Sequence, residues 1–299
     1  MNNFLFKRSL PLTYPMRSSL NAVLRGLSSL GYEDFSDRSM LGPATYLLRK
    51  PGKMLRPALV FLGASVLGER CDNFVKLAMA AELLHTASLV HDDLIDEDLK
   101  RRGINAVHVK YGSNVAILAG DALIAKGMSL ASEYGNDVMK AVTKSAMDMC
   151  AGELLDYNYQ RRRELPDVRE YLRIARLKSG VFAGTCSNIV PLYRRSRLVR
   201  EMFRFGLNLG IAFQIRDDVM ERVNQKDWKS NGKGTNSRNF KPDLISVIEK
   251  QFKVGRHDAL LQTIELGNYF ADRALGSIRD KGVQAELREY VDFVRVKKA

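Results

Sequence analysis

The chain is short of the residues that most readily assign a protein to a class. Its 299 residues include three cysteines, Cys71, Cys150 and Cys186, odd in number and too widely spaced for a CxxC. Neither a disulfide framework nor a zinc site is indicated, and a reducing, cytoplasmic location is the simplest expectation. No stretch reaches 18 consecutive apolar residues, so no membrane span is expected. Sustained period-two alternation is missing, as is an Asn-Gly pair between β-branched runs, which leaves little room for a sheet. The first 32 residues contain no acid, yet carry Lys7, Arg8, Arg17 and Arg25. A transit peptide has that composition. Residues 18–30 already alternate as an amphipathic helix should, however, so residues 1–15 read as a short basic leader. Acids are scarce overall: 34 Asp and Glu against 47 Lys and Arg give a formal net charge of +13. That surplus points to an anionic partner, which could be nucleic acid, an acidic membrane surface or a phosphorylated small molecule. Nucleic acid is disfavoured, because no clustered aromatics accompany the basic runs and no recognisable module is present.

What the chain does have is helix. Apolar segments at helical spacing recur from residue 18 to residue 221, punctuated by Pro51–Gly52, Gly68, Gly103 and Pro166–Asp167. Residues 224–242 are polar and glycine-containing and read as a loop, and residues 243–295 read as two or three further amphipathic helices. Helices apolar on nearly every face belong to a large bundle, so the expected class is all-α, a single domain over 1–299. The basic runs at 161–163 and 194–197 read as solvated faces that favour peripheral association with an anionic membrane.

The stretch His91–Gly103, HDDLIDEDLKRRG, places five acids within seven positions and follows them at once with Lys100, Arg101 and Arg102. It ends a run, Phe74 to Val90, that is almost wholly apolar or small. On a helix Asp92 and Asp96 stack one turn apart with Asp93 beside them, at the end where the helix dipole disfavours negative charge. A hard divalent cation with oxygen ligands would offset that cost. Asp217, Asp218 and Glu221 repeat the spacing i, i+1, i+4 downstream. Cations surround the two sets: Lys53 and Arg56, Arg101 and Arg102, then Lys178, Lys233 and Lys241. Either acidic set alone is a weak signal. Together with the cations they suit a ligand with diphosphate groups, gripped by Mg²⁺ on one side and guanidinium forks on the other.

These residues resemble the trans-type isoprenyl diphosphate synthases over nearly the whole chain. DDLIDEDLKRRG is similar to the family's first aspartate-rich motif with its RRG, and YLLRKPGKMLRP to its GGKRxRP box. ELLHTASLVHDD, AGELLDY, the Lys178–Ser179 pair and FQIRDDVME match its later or neighbouring boxes. The resemblance implies the isoprenoid synthase fold, a bundle around a deep central cavity, usually as a homodimer. It implies three Mg²⁺ ions, two at Asp92 and Asp96 and a third at Asp217, with Asp218 and Glu221 also among the metal ligands and Asp93 in the catalytic set. An allylic diphosphate would meet Arg101, Lys178, Gln214 and Lys233, while Lys53, Arg56, His85 and Arg102 would hold isopentenyl diphosphate, with Ser179 and Lys241 as further substrate-binding residues. His91 is expected to be structural.

Three departures stand out: Pro51 where the family usually has Gly, Glu221 at the end of the second motif, and Arg238 near a usual acid. A terpene cyclase is disfavoured by the Lys53/Arg56 box and by DDVME. A non-catalytic subunit of a heteromeric synthase is the alternative that the altered second motif keeps open. Product length should follow the helix that ends at Asp92. In the family an aromatic one turn before the aspartates limits products to short chains, and here Leu84, Ala87 and Ser88 are all non-aromatic. The expected product is therefore C20 or longer.

Overall fold

Helix boundaries fall where the sequence carries its caps and breakers. The computed structural model describes residues 4–5, 10–224 and 240–298. Helix α1, Tyr14–Ser28, has Pro15 in its first turn, where a missing N–H costs nothing. Asp37 caps α2, Arg38–Tyr46, by accepting from the Ser39 N–H. After the Pro51–Gly52 turn come α3, Leu55–Ser65, and α4, Val75–Ile95. Next are α5, Val107–Tyr111, α6, Ser113–Ser132, and α7, Asn136–Arg162. Asp167 caps α8, Val168–Ala175, as Pro166–Asp167 foretells. A single π-helical turn, Arg176–Gly180, leads into α9, Val181–Tyr193, and α10 covers Val199–Asn224. The remainder forms α11, Leu244–Phe252, α12, Arg256–Gly276, and α13, Lys281–Val294. Strand is confined, among the described residues, to two-residue ladders, β1 (Phe4–Leu5) with β4 (Lys297–Lys298) and β2 (Lys100–Arg101) with β3 (Ile104–Asn105). The expected all-α class is what forms.

The chain divides into two compact units, each drawn from separate stretches of sequence. One comprises Leu10–Lys144 and Thr185–Met202. In it α4 packs chiefly along α6 and also against α3 and α1. Two glycines allow the close approach: the His91 ring lies where a Cβ on Gly120 would sit, and Leu84 lies against Gly127. Leu77, Ala78, Leu83, Ala87 and Val90 of α4 are sealed from solvent. Each large apolar side chain buried this way contributes about 1.5–3 kcal/mol. Phe74, Tyr134 and Tyr193 form an aromatic seam with centroids 5.5–6.2 Å apart. Arg194 is exposed, as expected of a solvated face, and there lies over Tyr193 and Phe74 and pairs with Glu69 at 2.9 Å. By length and composition α6 is the one described helix able to cross a membrane, which run length alone did not anticipate. Its glycine face packs on α4, while Ile117 and Leu118 on the same helix are exposed.

The other unit comprises Met1–Ser9, Ser145–Gly184 and Phe203–Ala299. Here α11, α12 and α13 pack in succession, and α11 also meets α8. Glycines again set the spacing. A Cβ on Gly210 of α10 would come within 2.9 Å of the Gly180 Cα, so the π-helical turn lies hard against α10. That closeness brings Ser179 beside Gln214.

Candidate active site

The carboxylates at the end of α4 are not equivalent. Asp92 and Asp96 are half-buried, while Asp93 is fully buried. The Asp93 Oδ1 accepts from Arg101 Nε at 2.6 Å, and the Arg101 Nη2 closes on the same oxygen. Burial pushes the Asp93 carboxyl up, and Arg101 pulls it back without fully offsetting that. Burial would lower Arg101, but Asp93, then Asp98 and Asp92, hold it above its ordinary value. Asp93 is thus the anchor of Arg101, while Asp92 and Asp96 lie one helical turn apart with some solvent access.

A hairpin turn separates the two arginines. Arg102 and Gly103 have φ of +53° and +79°, the sign pattern of a two-residue type I′ turn between β2 and β3. Arg101 reaches the end of α4, whereas Arg102 reaches back to the Pro51–Gly52 turn. Its Nη1 donates to the Lys50 carbonyl at 2.8 Å, and its Nη2 lies 3.6 Å from Glu82 Oε1. Glu82, 2% exposed on α4, did not figure among the expected site residues. Its signal was legible, as it is the one acid in the apolar run from Phe74 to Val90. His85 is held well below its ordinary value by burial and then by the charges of Arg56, Arg102 and Arg101, so its imidazole is neutral. Arg56 is half-buried in the first turn of α3, and Lys53 is exposed just before it. His91 is structural in the sense expected: its Nε2 lies 3.1 Å from the Ile117 carbonyl. Ser88 is half-buried and donates to the His85 carbonyl, whereas Ala87 is fully buried and Leu84 nearly so.

The later acidic set behaves similarly. Asp217 is half-buried and Glu221 exposed. Asp218, expected among the metal ligands, has its carboxylate occupied by three donors. It accepts from Tyr171 Oη at 2.6 Å, from Gln214 Nε2 at 3.1 Å and from the Leu244 N–H at 3.1 Å. Burial pushes its carboxyl up to about 7, with the charge of Asp243 adding and the three hydrogen bonds opposing. Asp218 therefore ties α10 to α8 and to the first turn of α11. Asp243 reinforces the join by capping α11 at Ser246 and accepting from Arg222 Nη2 at 2.7 Å. Gln214, expected as a substrate ligand, accepts from Ser179 Oγ at 2.8 Å while donating to Asp218, which makes Ser179–Gln214–Asp218 one chain of hydrogen bonds. Lys178 Nζ lies 2.8 Å from Glu153 Oε2 and 2.6 Å from Asp156 Oδ2. Those two acids were visible in AGELLDY but carried no assigned role. Lys241 is exposed, and Lys233 and Arg238 lie outside the described residues. Removing one donor from Asp218 tests this role. Tyr171→Phe is expected to cost about 1–3 kcal/mol in urea unfolding, and Asp218→Asn to reduce turnover less than Asp217→Asn.

No three His, Cys, Asp or Glu side chains converge into a closed metal cage among the described residues. Each unit instead offers a pair of acids one helical turn apart with some solvent access, Asp92 with Asp96 in one and Asp217 with Glu221 in the other. That fits Mg²⁺, which takes one or two carboxylates and completes its shell with water and phosphate oxygens. The residues suit an ion shared with an anionic ligand.

Residues 37–249 match the polyprenyl synthetase family. The chain belongs to that family. A geranylgeranyl pyrophosphate synthase of Geoglobus acetivorans is 35% identical over 199 residues, covering 62% of this chain and 62% of that protein. The chain thus spans less than two thirds of that relative's length. A geranylfarnesyl diphosphate synthase of Aeropyrum pernix is 34% identical over 274 residues, covering 85% of each. A polyprenyl synthase of Caulobacter crescentus CB15, solved in complex with calcium and isoprenyl diphosphate, superposes with a TM-score of 0.79 at 24% identity, covering 96% of this chain and 98% of that one. The all-α architecture is that of the isoprenoid synthases, and the polyprenyl synthetases are prenyltransferases, as the paired aspartate motifs imply.

Proposed function

We propose that the chain is an Mg²⁺-dependent, chain-elongating trans-prenyltransferase. It joins isopentenyl diphosphate to an allylic diphosphate, releases pyrophosphate and makes products of C20 or longer. The observation that supports this is the division of labour at the end of α4: Asp92 and Asp96 are half-buried one helical turn apart, while fully buried Asp93 fixes Arg101 beside them. Geranylgeranyl and geranylfarnesyl products in the names of two relatives support the chain length.

Asp92, Asp96 and Asp217, with Glu221, would hold the ions. Bound Mg²⁺ would neutralise the departing diphosphate and make it a better leaving group. Arg101, oriented by Asp93, and Lys178, oriented by Glu153 and Asp156, direct positive charge to the diphosphate oxygens where negative charge builds. Lys53, Arg56 and Arg102 hold the second diphosphate, and neutral His85 offers it one hydrogen bond. Holding both substrates supplies orientation. The isopentenyl double bond attacks the allylic carbon as its C–O bond breaks, and the released pyrophosphate takes the final proton.

Val109, Ile117 and Leu118, exposed at 42–54% on α5 and α6, support self-association, and a homodimer is part of the reading. Three free cysteines, two of them buried, support a reducing, cytoplasmic setting. The basic surplus supports peripheral membrane binding.

The test is incubation of the purified chain with Mg²⁺, isopentenyl diphosphate and an allylic primer, followed by product chromatography. Product formation is expected from the chain alone. A chain that turns over only with a partner subunit would favour the regulatory alternative instead. Kinetics of two variants check the partition: Arg56→Ala should chiefly raise KM for isopentenyl diphosphate, and Lys178→Ala should chiefly impair use of the allylic substrate. The opposite pattern would overturn the assignment of the two diphosphates.

A further inference from the structure

We propose that Glu82 is a positioning residue for the isopentenyl diphosphate half of the site, gathering the guanidinium of Arg102 and the charge of Arg56 around one buried carboxylate before substrate arrives. The inference rests on the function proposed above and adds to it a residue to which no role has been given.

Glu82 lies on the apolar part of α4 with 2% of its surface exposed, and its Oε2 is buried and takes no hydrogen bond. A carboxylate taken out of water costs several kcal/mol, unless charges and hydrogen bonds compensate it. What compensates it here is arginine. Arg102 Nη2 stands 3.6 Å from Glu82 Oε1, with only 15% of the Arg102 side chain exposed. Burial pushes the Glu82 carboxyl up, and Arg102, then Arg56, pull it back. The same two arginines act on His85, one turn further along α4.

The arrangement also fixes the turn that carries Lys53. Arg102 Nη1 donates to the carbonyls of Lys50, at 2.8 Å, and Leu47, at 3.5 Å. Gly52 lies flat against the guanidinium: a Cβ there would be 2.8 Å from Nη2 and 3.0 Å from Cζ. Arg102 itself sits at φ +53°, in the left-handed region that a residue with a side chain adopts only at a cost. One guanidinium therefore links the hairpin, the turn at 47–53 and α4, and Glu82 is the buried end of that link. Two arginines facing the same anion site repel each other. A buried carboxylate that attracts both lowers that cost and holds the site in its binding geometry.

Charge alone and positioning predict opposite results. If Glu82 contributed only negative potential, Glu82→Gln would tighten diphosphate binding by removing repulsion. A positioning role predicts that Glu82→Gln weakens isopentenyl diphosphate binding about tenfold, the equivalent of one charge-assisted hydrogen bond. KM for the allylic substrate and kcat at saturation should stay within about twofold of wild type. Gly52→Ala is the second variant. It lies on an exposed turn outside the left-handed region, so it should fold normally, yet its Cβ displaces Arg102. It should give the same selective loss.

The measurements are calorimetric titration of the full chain with isopentenyl diphosphate and steady-state KM for both substrates. A selective rise for isopentenyl diphosphate in Gly52→Ala, and in Glu82→Gln where it folds, supports the inference. Unchanged or tighter binding, or a proportional rise for both substrates, overturns it while leaving the proposed activity of the wild type intact. A wild-type chain that binds no isopentenyl diphosphate and forms no prenyl product removes the proposed function, and this inference with it.

Discussion

Asp92→Ala is expected to lower kcat by about 10²-fold, the effect of losing one stabiliser of developing charge, while leaving thermal stability close to wild type. Asp93→Ala, one residue on, is expected to behave differently. Asp92 is half-buried one helical turn before Asp96, so truncation removes a proposed metal ligand and little packing. Asp93 is sealed from solvent and holds Arg101, itself only 30% exposed. Removing it strands a largely buried guanidinium, which costs about 3–5 kcal/mol when the partner is fully enclosed. The partial exposure of Arg101 places the expected loss near the lower end. Asp93→Ala should therefore melt at a clearly lower temperature and lose activity through Arg101, and Arg101→Ala should reproduce its kinetic defect. Paired melting curves and turnover numbers decide the matter. Equal losses of stability in the two aspartate variants would show that the two carboxylates are not divided in this way.

The same contrast explains what could be read from the sequence and what could not. The helix from Val75 to Ile95 was legible because its apolar run is unbroken and its acids come at one end. The spacing i, i+1, i+4 also survives at both acidic sets. Spacing cannot tell which carboxylate of an adjacent pair faces inward, because that is decided by partners remote in the chain. Tyr171 lies 47 residues from Asp218, and Leu244 lies 26 residues away on the other side. Neither announces itself as a donor. For Gln214 a substrate role follows from the family resemblance alone, and spacing does not show that its amide also donates to Asp218, four residues on in the same helix. The β2–β3 ladder was invisible for a different reason. Two-residue strands have no period to detect, and its turn uses Arg102 in a conformation where glycine would be the expected marker. Glu82 was the readable clue that went unused: a lone acid in an apolar helix must find a cation, and RRG supplies one 20 residues on.

Ser88→Phe is expected to shorten the product to C15 or less. In the proposed reaction a growing prenyl chain would leave the metals along α4, and one turn of about 5.4 Å is close to one isoprene unit. The positions one turn before Asp92 are Ala87 and Ser88, and the structure separates them. Ser88 keeps some access, on the side of α4 shared with His85 and Asp92, whereas Ala87 is wholly buried. A ring at 88 can block the path without disturbing the core. At 87 a ring must first be forced into packed surroundings, costing about 1–3 kcal/mol, so Ala87→Phe should shorten the product only together with a fall in melting temperature. Leu84 lies a turn further back, with its Cγ against Gly127 of α6. If it forms the floor of the path, Leu84→Ala should lengthen the product. The deletion should also destabilise the chain by about 2–5 kcal/mol, because the space it leaves lies in the α4–α6 seam. Chromatography of radiolabelled products from the three variants separates these effects. A wild-type product of C15, or chain length indifferent to Ser88→Phe, would show that the tail takes another route.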